Sequence, residues 1–258
     1  VLWCLDGLHW QTTFLLLASL VFLNTIAILC YREPIHQRES GRETAVQVSL
    51  IHAIRSYLQY FQSTPQLKAW LIVLLCFKVA DGLSGALLKP LMVDMGLSFA
   101  QIGIYISMLG AVAALIGAAL AGLLLRYLSR AQCLIVFSIV KIFSLAAYAA
   151  LAYGFAQQQA VAEWLLYAVN AFEDACSAML LVVMLTLIMQ YSRKAYAGTD
   201  FTFQVSIMAT VSGVLYLCSG IMGDVLGYYP ALNLICLIAI LCLAPIFYCQ
   251  RQITSTAA

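Results

Sequence analysis

The residues able to do chemistry in this chain are charges set where charge is costly. Lys78 and Asp81 lie one helical turn apart inside the apolar run AWLIVLLCFKVADGLSGALLKPLMV, residues Ala69 to Val93. Asn170, Glu173 and Asp174 interrupt a second apolar run, and Lys141 a third. A charged side chain at the centre of a bilayer costs about 2.5–3.5 kcal/mol on insertion scales, so it is kept mainly where it faces a polar cavity, an ion path or a partner charge. Counted at 1.5 Å per residue, Lys78 and Lys141 fall roughly 13 Å from one end of their runs, and Asp81 roughly 18 Å. By the same count Glu173 and Asp174 fall roughly 13–15 Å from the opposite end. These five charges share one depth, which suggests an internal polar site. Burial raises the pKa of a carboxylate and a lysine lowers it, the balance needed to take and release a proton. A structural ion-pair network explains the same residues, since Lys78 and Asp81 can neutralise each other at i,i+3 spacing.

A further polar group opens the sixth apolar run: Thr199, Asp200, Thr202, Gln204, Ser206, Thr210 and Ser212. Gln204 can donate and accept, and so can orient a solute, close a gate or bond between helices; Asp200 and Thr202 are secondary candidates. No metal or cofactor is expected, because the nine cysteines form no CxxC and fall inside or at the edges of apolar runs. Their reading is packing as small hydrophobes. His9, His36 and His52 are isolated.

The elements that must position these residues are membrane spans. The chain is 64% hydrophobic and 9% charged, against about 25% charged in a soluble domain. Runs of about 20 apolar residues cross the hydrocarbon as helices, and seven are predicted: Gln11–Cys30, Ala69–Val93, Gln101–Leu125, Cys133–Gly154, Trp164–Gln190, Phe201–Gly223 and Tyr229–Cys249. Arg32, Arg38, Arg42, Arg55, Lys68, Arg126, Arg130, Arg193, Lys194 and Arg251 all lie on one side, which is ten of the thirteen basic residues. The opposite loops hold Asp6, Asp94, Glu163 and Asp224 and no lysine or arginine. The positive-inside rule makes the basic side, with the C-terminus and the long loop 31–68, cytoplasmic. Lys89, four residues from the outer end of its span, is expected to snorkel to the interface, with Pro90 ending or bending the helix there. Val46, Leu50, Ile54, Tyr57, Leu58 and Phe61 fall at helical spacing in the long loop and predict an amphipathic surface helix closed by Pro65. Gly103, Gly110 and Gly117, followed by Gly122, line one face of the third span for close helix contact, and Gly213, Gly220 and Gly223 are read the same way in the sixth. Nothing in this distribution suggests a nucleic-acid partner.

Several segments resemble a known family. FKVAD (Phe77 to Asp81) resembles the seventh-helix lysine–aspartate motif of the AmpG-type muropeptide permeases, a branch of the major facilitator superfamily. NAFEDACSAMLLVVMLTLIMQYS (Asn170 to Ser192) is similar to that branch's tenth helix. AGTDFTFQVS (Ala197 to Ser206), the most specific piece, is similar to the entry of helix eleven in the related siderophore permeases, and REP (Arg32 to Pro34) suits the end of helix six. The resemblance implies an all-α membrane protein of seven transmembrane helices: helix six plus the C-terminal six-helix half of a twelve-helix transporter. Residues 1–31 would then be the last helix of an otherwise missing N-terminal half, 32–67 the cytoplasmic inter-half linker, and 68–258 the C-terminal bundle. It further implies alternating access about a central cavity, in the inner membrane, with protons and a mid-sized polar solute such as a siderophore or muropeptide as partners. Lys78, Asp81, Asn170, Glu173, Asp174 and Gln204 would approach that cavity, whereas Lys141 would lie on a peripheral helix. The loop GLLLRYLSR, Gly122 to Arg130, lacks the acidic residue of the superfamily's loop motif. A seven-helix receptor and an inactive transporter fragment are the alternatives. An enzyme is not expected, because no span presents a nucleophile–base arrangement.

Overall fold

The computed structural model describes residues 10–30, 57 and 59–257, and among them no strand occurs. The chain divides into two compact units, Val1–Ser56 and Tyr57–Ala258. In the first, α1 (Trp10–Cys30) is a 21-residue apolar helix, about 30 Å long at 1.5 Å per residue and so of spanning length. Leu15, Leu20, Val21, Phe22 and Leu23 are exposed around it, the all-round apolar surface of a membrane helix. Most of the helix predicted over Val46 to Phe61 lies outside the described residues, as do His9, His36 and His52; its described end, Tyr57 and residues 59–61, is helical, and Phe61 is buried in the core rather than lying on a surface.

The second unit carries six helices long and apolar enough to span. The first consists of α2 (Pro65–Phe77) and α3 (Val79–Asp94). Next come α4 (Phe99–Leu124), α5 (Arg130–Ala156), α6 (Glu163–Tyr191) and α7 (Ala197–Leu226). The last span joins α8 (Tyr228–Leu241) to α9 (Leu243–Ala257). Local chemistry sets the starts. Pro65 occupies the first turn of α2 behind a Thr64 cap whose hydroxyl accepts from the Leu67 amide at 3.3 Å, so this proline opens a helix as well as ending the preceding segment. Ser98 with Gln101 and Ser129 with Gln132 form reciprocal capping boxes before α4 and α5, satisfying amides that have no partner within the helix. Gly227 turns the chain from α7 to α8 with φ 79°, a left-handed geometry that glycine adopts without steric cost.

Pro90 does not end its helix: α3 runs through it to Asp94, as membrane helices tolerate proline where neighbours resatisfy the freed carbonyl. The interruption lies instead at Lys78, whose φ of −92° and ψ of 3° fall between helix and turn. A second interruption, at Cys242, separates α8 from α9, three residues before Pro245, which cannot donate to the Leu241 carbonyl. The half-helices pair across these breaks: α2 packs on α9, and α3 on α8.

Lipid tails are as apolar as leucine, so close approach and polar bonds must hold the helices together. The heptad glycines of α4 do this against α6. A Cβ at Gly117 would run into the backbone of Ala175, and one at Gly110 into the Asp174 carboxylate. The expectation for α7 is corrected: Gly213 and Gly220 face open space, Gly223 meets Leu87, and the close approach to α7 comes from Gly82 of α3 against the Ser212 carbonyl. Phe61, Trp70, Phe137, Met184 and Ile188 fill a core toward the basic end. Met108, Leu115, Ile116, Leu217, Ile221 and Val225 stand exposed on α4 and α7, an apolar surface suited to lipid rather than water.

Candidate functional site

The break at Lys78 places its ammonium beside the next turn of the same span. Lys78 Nζ donates to Asp81 Oδ2 at 2.6 Å. Asp81 Oδ1 faces Lys141 Nζ at 3.0 Å, and Lys141 in turn contacts Glu173 Oε1. Ser177, one turn beyond Glu173, donates to the same oxygen at 3.0 Å and accepts from Lys141. Four charges of alternating sign, summing to zero, thus tie α3, α5 and α6 together near mid-depth. Exposure of the side chains falls inward, from 24% at Lys78 and 21% at Asp81 to 5% at Lys141. The resemblance set Lys141 apart on a peripheral helix; among the described residues its side chain is buried and contacts both Asp81 and Glu173, so it is the hub of this network. Lys141, Ser144 and Tyr148 recur at helical spacing on the buried face of α5, and the snorkelling length of a lysine is used inward, toward two carboxylates. A cavity of about 40 Å³ adjoins Asp81 and Lys141, with Phe77, Ser138 and Cys242 in its wall, room enough for a water molecule.

The adjacent acids of α6 part company. Glu173 enters the charge chain, whereas Asp174, about 100° further round the helix, turns toward α4 at Gly110. Asn170 Nδ2 donates to Asp174 Oδ2 at 2.7 Å and to the Ile106 carbonyl at 3.2 Å, while its Oδ1 accepts from the Tyr148 hydroxyl at 2.9 Å. Residues Ile102–Met108 of α4 are π-helical, a local widening often found at functional sites. Lys89, exposed on α3, lines a cleft of about 280 Å³ together with Ser107, Asn170 and Asp174.

Gln204, Asp200 and Thr202 are gathered elsewhere, at the basic end. Gln204 is buried and accepts from the Trp70 indole at 2.7 Å. Its amide reaches Ser192 Oγ at 3.2 Å and the Asp200 carbonyl at 3.3 Å. Asp200 takes a two-pronged bond from Arg193, 2.8 Å on each arm, and the Arg193 amide at 2.9 Å. Tyr57, Tyr60 and Tyr196 surround the guanidinium at 5.2, 4.5 and 5.0 Å. Its hydrogen bonds to Asp200 raise the Arg193 pKa above its ordinary value. Thr202 is exposed and bonds only its own helix, at the Gly198 carbonyl. Sequence reasoning did not single out Tyr148, Ser177 or Trp70. The first two carried a signal, since Tyr148 is seven residues from Lys141 and Ser177 four from Glu173, on shared helix faces.

The profile described as Major Facilitator Superfamily matches residues 1–203. The chain is 27% identical over 235 residues to the Anhydromuropeptide permease of Escherichia coli (strain K12), covering 88% of this chain and 43% of that protein. It is 23% identical over 224 residues to the Putative transporter AmpG 4 of Rickettsia felis, covering 87% of this chain and 53% of that one. The chain spans about half the length of the curated relatives it matches.

Proposed function

This chain belongs to the Major Facilitator Superfamily, a family of membrane transporters rather than enzymes, and from that premise we propose that it serves secondary active transport by alternating access. Membership displaces the receptor reading. The solute class is a mid-sized polar molecule imported across the inner membrane with protons, the basic end of the bundle facing the cytoplasm. The name of the Escherichia coli relative favours a muropeptide over a siderophore. Residues 68–258 act as one six-helix half, with 32–67 as linker and 1–31 as the last helix of the other half.

The observation that carries this reading is the buried chain Lys78–Asp81–Lys141–Glu173. Glu173 is the proton acceptor. A proton added to its carboxylate removes one of the two anions held by Lys141, and the ammonium then turns wholly to Asp81, weakening the tie between α5 and α6. Loss of the proton restores it. Opposite charges in a protein interior attract by several kcal/mol, enough to favour one helix arrangement over another. The test uses the complete protein in proteoliposomes with an imposed proton gradient and anhydromuropeptide as solute. Glu173→Gln and Asp81→Asn are expected to abolish gradient-driven accumulation while preserving solute exchange. Wild-type accumulation in both variants rejects the coupling role.

A further inference from the structure

The cleft beside the charge chain differs from it in one chemical respect: Lys89, Ser107 and one oxygen of Asp174 keep unused hydrogen-bonding capacity among the described residues, with Lys89 and Asp174 attracting each other without closing to an ion pair. In the chain each charge contacts an opposite one. In the cleft, Lys89 and Ser107 make no side-chain hydrogen bond or ion pair among the described residues. Asp174 commits Oδ2 to Asn170, and its Oδ1 makes no hydrogen bond among the described residues. Asn170 meanwhile donates to the Ile106 carbonyl in the π-helical stretch that carries Ser107. Gly110 keeps the wall low, since a Cβ there would strike the Asp174 carboxylate. The fold has therefore built an open recess with one cation, one anion and one hydroxyl facing it.

We infer that this cleft binds the zwitterionic end of a solute, with a carboxylate at Lys89 and a primary ammonium at Asp174. A ligand of a single charge sign meets repulsion from one of the two, so the pair selects against simple anions and simple cations. The volume of about 280 Å³ lies just below the range of pockets that take whole drug-sized ligands. It suits a terminal group of amino-acid size. The inference rests on the transport reading, in which the remainder of a larger solute lies outside the cleft. Solute contact and proton coupling then belong to neighbouring acids of α6, Asp174 and Glu173 respectively.

The test introduces Ser107→Cys into the complete protein in open membrane sheets and follows alkylation by a maleimide, with the unsubstituted protein as background. The probes are alanyl-alanine, its N-acetyl form and its C-terminal amide. Free alanyl-alanine is expected to slow labelling about threefold when present at twice its dissociation constant, because occupancy scales the free fraction by 1 + [L]/Kd. The two blocked forms should leave the rate unchanged, and Lys89→Gln or Asp174→Asn in the Ser107→Cys background should remove the protection. A cysteine that does not label, equal slowing by all three probes, or protection that survives both substitutions overturns the inference. The outcomes separate from the coupling test. Lost gradient-driven uptake with protection intact in the Glu173→Gln variant supports both assignments, whereas no protection by free alanyl-alanine in the Ser107→Cys protein with Lys89 and Asp174 intact, its coupling unimpaired, rejects the cleft alone.

Discussion

Replacing Lys141 by methionine removes the one cation shared by two carboxylates. At 3.0 Å from Asp81, and with an effective dielectric of about 20, each ion-pair contact of Lys141 is worth about 5–6 kcal/mol of attraction. Desolvating each ion costs several kcal/mol, so the intact network contributes little net stability. Breaking it is another matter. Asp81 keeps Lys78 at 2.6 Å, but Glu173, 12% exposed, loses the only cation that contacts it among the described residues. Removing one partner of a buried pair costs about 3–5 kcal/mol because the other charge stays behind. Methionine fills similar volume, so the cavity contribution is small. The double variant Lys141→Met/Glu173→Gln leaves the neutral Lys78–Asp81 pair alone and is expected to regain about 1–3 kcal/mol of the loss, the range of coupling between contacting residues. The measurement is reversible unfolding of the complete protein in mixed micelles across the double-mutant cycle. A single variant costing less than about 1 kcal/mol, or a double variant no more stable than the single, refutes the hub role of Lys141.

Three further outcomes are expected from the same unfolding assay. Gly117→Val, which forces a branched side chain onto the Ala175 backbone, should cost about 3 kcal/mol or more, at or beyond the upper end of overpacking effects; Gly122→Ala, facing open space, should be near neutral. Trp70→Phe removes the indole donor from buried Gln204 and should cost about 1–3 kcal/mol for the acceptor left unpaired. Arg193→Lys keeps the charge but loses the two-pronged bond to Asp200; with the arginine side chain 30% exposed, about 1–2 kcal/mol is expected, the range of about 1.5–3 kcal/mol for bonds to charged groups lowered by solvent screening.

Much of this arrangement was legible in the sequence because membrane physics leaves few options. An apolar run of span length must be a helix, and a charge within it must find a partner, which is why Lys78, Asp81 and Glu173 could be placed together by depth alone. Depth fixes only one coordinate. The angle round each helix decides which acid of Glu173–Asp174 faces Lys141, and for α6 that depends on its close packing against α4 at Gly110 and Gly117. Lys141 shared that depth, but the resemblance put its helix at the periphery; where a helix runs does not say which way a long lysine stem reaches, and here it reaches two buried carboxylates. The helix break at Lys78 was invisible because no glycine or proline marks it. Pro90, which does advertise a break, lies inside α3, whose helix continues through it to Asp94. Gln204 and Asp200 share a stretch of α7, and their recruitment by Trp70 and Arg193 needed the three-dimensional meeting of segments more than a hundred residues apart for the first, and only a short turn for the second.

The break at Lys78 also makes α2 a lever. Its 13 residues extend about 20 Å from a fulcrum at Lys78. A rotation of about 10° there carries the Pro65 end through roughly 3 Å, and Trp70, about 12 Å out, through roughly 2 Å. The charges at the fulcrum barely move. The Trp70–Gln204 hydrogen bond, 2.7 Å long, parts under the same rotation. Any rotation about Lys78 would thereby be magnified at the basic end of the bundle, with the ion contacts at the fulcrum still within reach of one another.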